Sequence, residues 1–148
     1  DLQIHFLELG NNRSGDCTLI KVGDMEVLVD AGSQGSSAET IGNYLNDYVT
    51  DGKIEYVIAT HAHDDHISAF VGTKKVKGIF DRFEFGTIID FPKTDQKLKT
   101  NAGNDTLYKQ YCDKRDALVE GGAIHYTALF QKWQHGKTGK IYEILTII

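Results

Sequence analysis

Cysteine is scarce, with only Cys17 and Cys112 in a chain of 148 residues. The two lack CxxC spacing and are too few for a disulfide scaffold, which excludes a thioredoxin-type redox motif and a cysteine-rich zinc site. Both read as buried or idle thiols. Long apolar runs are also missing. None approaches the roughly 20 residues of a membrane-spanning helix, and the opening DLQIHFLELG lacks the charged, apolar and small-residue order of a signal peptide. The chain starts at Asp1 without a methionine, so cytoplasmic and exported locations both stay open. Positive charge is in deficit: 16 Lys and Arg face 21 Asp and Glu, a net charge of -5. A domain held to nucleic acid by bulk charge is therefore excluded, and any phosphate binding must be local. There is one proline and no Pro/Gly/Ser-rich linker, repeat or low-complexity tract, so residues 1–148 read as a single domain. The 41% hydrophobic and 25% charged content is enough for a packed core.

What is present is α/β in pattern. Leu2, Ile4 and Phe6 alternate with Gln3, His5 and Leu7, which predicts a strand with one buried face. After the turn NNRSGD, residues 17–22 and 25–30 form two strands around a Gly23-Asp24 hairpin turn. Ser37 is placed to cap a helix from about Ala38 to Val49, with Ile41, Tyr44, Leu45 and Tyr48 on one face. Residues 54–60, IEYVIAT, read as a buried strand. A short helix from Asp65 to about Val71, a strand-like segment over 78–91, and a helix from Asn104 or Asp105 to about Glu120 follow. Late strands are expected over 123–130 and 140–148.

The informative stretch is VIATHAHDDH, which sets His61, His63, Asp65 and His66 within six residues just past a buried strand. In α/β proteins that strand end is where ligands bind. Imidazole nitrogens and carboxylate oxygens are ligands for zinc and neighbouring divalent metals. Histidines at i and i+2 of an extended segment point the same way. His61 and His63 can thus grip one ion, with Asp65 and His66 turned toward a second. Two ions about 3.5–4 Å apart can bind one water, lower its pKa to about 7 and deliver hydroxide to carbon or phosphorus. A polar loop whose histidines cap a helix is the plainer alternative. His125 and His135 are further candidate ligands, whereas His5 is expected to face solvent or strand neighbours.

These residues resemble a known family. His61, His63, Asp65 and His66 are similar to the HxHxDH signature of the metallo-β-lactamase superfamily, and Asp30 in LVDAG resembles its earlier strand-end aspartate. More narrowly, IHFLELG, GDCTLIK, VLVDAG and VIATHAHDDHISAF, spanning about residues 2–72, resemble the hydrolase domain of ComEC-type competence proteins. One departure is the NNRS that precedes Gly15-Asp16, where the family runs directly through a short Gly-Gln-Gly-Asp turn. The resemblance implies an αββα sandwich in which His61 and His63 hold a first zinc or manganese ion, and Asp65 with His66 a second. Asp30 would support an imidazole from behind. The family pattern also has a third His, an aspartate bridging both ions and a final His. These are expected beyond Ile148, which implies an incomplete N-terminal half with little or no hydrolysis of its own and association to cover the incomplete fold.

The same resemblance favours a nuclease or phosphodiesterase, with Asp65 orienting the nucleophile. Residues 73–99 carry seven Lys and Arg, Lys74, Lys75 and Lys93 among them, against four acids, interleaved with Phe80, Phe83, Phe85 and Phe91. Basic charge with stacking rings suits single-stranded nucleic acid; core aromatics with solvated lysines are the alternative. Hydrolysis of a small thioester or lactam, or a non-catalytic binding or scaffold module that keeps the loop, are the competing functions.

Overall fold

A computed structural model describes the backbone of residues 1–92, 94–134 and 141–147, and the side chains of residues 1–92 and 94–128. His135 and Lys93, both singled out above, lie outside the described residues, as do the ends of the last predicted strand, Lys140 and Ile148. The elements run β1 (Leu2–Phe6), β2 (Thr18–Val22), β3 (Met25–Val29), α1 (Ser37–Asn46), β4 (Lys53–Ile58), α2 (Asp64–Val71), a single 3-10 turn (Ile79–Asp81), β5 (Glu84–Asp90), α3 (Leu107–Glu120), β6 (Ile124–Gln134) and β7 (Ile141–Ile147).

The strands form one sheet in the order β1 to β7. β1, β2 and β3 are an antiparallel meander, and β3 to β6 run parallel through the three helices. Right-handed crossovers that advance in one direction put every helix on the same face. Consistent with that, α2 packs against both α1 and α3. β6 divides its pairing: Ile124 to Thr127 lie beside β5, and Ala128 to Gln134 pair antiparallel with β7. The result is a mixed α/β fold with one helical layer on one β layer.

Leu19, Leu28, Val57 and Ile88 point from four strands to the helical side, where Ile41, Leu45, Ile67, Phe70 and Tyr111 meet them fully buried. Phe70 stacks on Phe80 at 4.6 Å, and Phe80 meets Phe85 edge to face. The aromatics of residues 80–85 are thus core, and stacking on nucleic acid is not their role. Lys21 and Glu26 pair on the same side, where Lys21 also donates to the Tyr48 carbonyl just beyond α1.

Several expectations are corrected. In β1 the open side carries Leu2, Ile4 and Phe6, with Phe6 84% exposed, while His5 packs on Tyr44 of α1 and on Tyr48 just beyond its end. His5 Nδ1 lies 2.8 Å from the Tyr44 hydroxyl. Alternation marks two faces without saying which one a helix covers, and here the aromatic edge of α1 selects the histidine face. Ser37 is not the α1 cap; Ser36 holds that position and Ser37 Oγ accepts from Asn11 instead. α3 is capped by Thr106, whose hydroxyl oxygen accepts from the Lys109 amide, and neither Asn104 nor Asp105 takes that role.

Met25, Tyr56, Ile124 and Tyr126 join the β1 residues as exposed apolar side chains on the open face. Phe70→Ala should cost about 3–5 kcal/mol in urea unfolding, because a fully enclosed ring leaves a cavity. Phe6→Ser should change stability by less than about 0.5 kcal/mol. Equal losses in the two variants would contradict this placement of the core.

Candidate metal centre

β4 delivers the cluster. Its ladder to β5 extends one residue beyond Ile58, with the Ala59 amide donating to the Ile89 carbonyl at 2.9 Å, and the chain then turns through Thr60 to His63 into α2. Ala62 is buried, so its methyl anchors the loop while the flanking imidazoles project together. Their rings lie 4.9 Å apart, edge to face, and the His61 ring is 3.9 Å from that of His66. His61, His63 and Asp65 each present a donor atom within 4.8 Å of the others.

His66 is held from behind. Asp30 is buried at the end of β3 with a φ of +56°, a conformation that costs a non-glycine residue roughly 1–2 kcal/mol. Its carboxylate accepts the Thr60 amide at 2.7 Å and the Thr60 hydroxyl at 2.7 Å, and its Oδ2 lies 2.8 Å from His66 Nδ1. Bonds to a charged acceptor contribute about 1.5–3 kcal/mol each, so three of them outweigh the strained backbone. With Nδ1 engaged, His66 turns Nε2 toward the loop. Asp16 Oδ2 and Asp65 Oδ1 lie 3.8 and 3.9 Å from that nitrogen.

Two glycines permit this closeness. A Cβ at Gly32 would fall 1.6 Å from the Asp65 carbonyl oxygen, and one at Gly15 would fall 2.8 Å from the same atom. That oxygen accepts instead from the Asp16 and Ser33 amides, both at 3.3 Å. The DAGS turn and the Gly15-Asp16 turn are thereby fastened to the first turn of α2.

Burial and the neighbouring imidazoles of His66 and His63 push the His61 pKa below its ordinary value. The ring is accordingly neutral at physiological pH, the form that coordinates metal. Imidazole nitrogens with carboxylate oxygens are the donor set that zinc and manganese take, so these residues fit such an ion.

Not every candidate joins the cluster. His125 Nε2 lies 2.8 Å from Asp90 Oδ1, in a separate group where Asp90 also binds Arg115 at 2.8 Å beneath α3. Lys74, Lys75 and Lys77 follow the C-terminal end of α2, whereas the histidines are at its N-terminal end. Two residues near the cluster were missed in the sequence: Asp16, and Asp95, whose Oδ1 is 3.5 Å from His63 Nε2. Gly-Asp at 15–16 was visible as a turn, while nothing local marks Asp95.

Residues 10–79 match the metallo-beta-lactamase superfamily. The matched segment takes in Asp16, Asp30 and the whole HAHDDH loop, and ends before β5. Among solved structures, the metallo-beta-lactamase fold protein YhfI from Bacillus subtilis is similar over 99% of this chain, at 21% identity and a TM-score of 0.42. The chain spans 58% of the length of that protein. No curated protein matches it.

Asp30→Ala would strand the Thr60 donors and His66 Nδ1, and should lower stability by about 1–3 kcal/mol in urea; a loss below about 0.5 kcal/mol would contradict the anchoring role. Because folding lowers the His61 pKa, the unfolded chain takes up the proton more readily. Stability should therefore fall as the pH drops through about 6.5, and His61→Gln should flatten that slope.

Proposed function

We propose that this protein is a metal-dependent hydrolase of phosphodiester bonds, in which His61, His63 and Asp65 hold one zinc or manganese ion and His66 faces a second. The observation that carries this reading is the convergence of three donor atoms within 4.8 Å at the end of a buried strand. A bound divalent cation acidifies water and offsets the charge that builds on the scissile phosphorus. The residues do the rest. Asp65, 40% exposed on its side chain, is open to solvent and orients the attacking water. Asp30 and Thr60 fix the His66 ring, so that no reorganisation is needed during reaction.

The preference for phosphodiesters over lactams or thioesters draws on the similarity of residues 2–72 to ComEC-type competence proteins. Lys74, Lys75 and Lys77 contribute at a distance. The eight residues of α2 separate them from His63 by about 12 Å, and exposed charges are screened over about 8 Å at physiological salt. Only a substrate several nucleotides long can reach both.

The longest natural form of the protein, loaded with zinc or manganese, should cleave bis-p-nitrophenyl phosphate and single-stranded DNA. Asp65→Ala should lower both rates at least about 100-fold. Lys74→Ala with Lys75→Ala should weaken only the oligonucleotide and flatten its salt dependence. Inertness toward both diesters with turnover of lactams or thioesters would overturn the substrate assignment, and inertness toward all of them would point to a binding module.

A further inference from the structure

The loop between β1 and β2 brings a carboxylate to the cluster from 49 residues upstream of Asp65. We infer that Asp16 is a metal ligand that joins His66 at the position of the second cation, with Asp65 standing between that position and the one His61 and His63 face; this rests on the metal-dependent reading above. Its Oδ2 stands 3.8 Å from His66 Nε2, on a nitrogen that Asp65 Oδ1 approaches to 3.9 Å. Donor atoms on one zinc ion, at bond lengths of about 2.0–2.2 Å, stand about 3–4 Å apart. At 3.8 and 3.9 Å the two pairs that share His66 Nε2 are too long for direct hydrogen bonds and lie within the spacing of two donors on one ion.

The backbone supports the same assignment. The Asp16 amide donates to the Asp65 carbonyl, and the Asp16 carbonyl accepts the Gly32 amide at 3.0 Å. The position of Asp16 is thus set by main-chain bonds. Its side chain is 73% exposed and owes nothing to the core. Charge supplies the reason for a ligand here. Two divalent ions about 3.5–4 Å apart repel each other and need carboxylates close by. Asp65 is one such group, Asp30 is turned to Thr60 and His66, and Asp16 adds another negative charge on the side of His66.

Zinc titration followed by calorimetry, together with the visible absorption of the cobalt(II)-loaded protein, tests the assignment. The protein should bind two zinc ions in separable steps. Asp16→Asn keeps both main-chain bonds and should leave the urea midpoint unchanged, yet weaken the second step at least about tenfold and change the cobalt spectrum only for the second equivalent. Asp16→Glu should restore most of the second step. His61→Ala with His63→Ala should instead remove the first. An Asp16→Asn isotherm identical to that of the parent, or a parent that binds one zinc only, overturns the role of Asp16 while the metal reading stands. A parent that binds no zinc overturns both.

Discussion

The carboxylate of Asp30 is buried at the end of β3 and is shared among an amide, a hydroxyl and an imidazole that belong to two later segments. Its backbone sits in the left-handed region, where few side chains other than Asp and Asn are comfortable. The charge must be satisfied once water is excluded, since an unpaired buried carboxylate is far costlier than the strained backbone. Thr60 and His66 are drawn in to satisfy it. The same bonds turn His66 Nε2 outward, so stability and the direction of the imidazole nitrogen that faces the cluster come from one constraint.

Around that anchor the fold is asymmetric. Among the described residues the main buried cluster lies on the helical side of the sheet, where the Phe70, Phe80 and Tyr111 rings join α2 and α3 to Phe85 of β5. The other side presents apolar residues of β1, β3, β4 and β6 to solvent. The cluster lies at the carboxyl end of the parallel strands, where rigid β3 and β4 deliver Asp30 and the HAHDDH loop side by side. The lysines of residues 74–77 lie beyond the other end of α2.

The loop with His61, His63, Asp65 and His66 was legible in the sequence because its ligand types are contiguous and follow an apolar strand. The α/β order was legible for a similar reason, since hydrophobic periodicity is local. What failed or stayed open required knowledge of a distant neighbour. Which face of β1 is buried stayed open in the sequence, because it depends on Tyr44 of α1 and on Tyr48 just beyond its end. The α3 cap depends on a loop that leaves Thr106 in extended geometry one turn before Lys109. Asp16 was seen only as part of a turn, because its relation to His66 is created by the close approach that Gly15 and Gly32 allow. Over 73–99 the sequence left open a binding stripe and core aromatics with solvated lysines, and the structure puts Phe80, Phe83 and Phe85 in the core with Lys74, Lys75 and Lys77 exposed.

The central claim is that imidazoles and carboxylates of this loop, and not the two buried thiols, hold metal. X-ray absorption at the zinc edge of the zinc-loaded protein tests it most directly. The account predicts a nitrogen and oxygen shell at about 2.0–2.2 Å with the outer scattering of at least two imidazoles, lost in His61→Ala with His63→Ala. A sulfur shell at about 2.3 Å, or a spectrum without imidazole scattering, would contradict it.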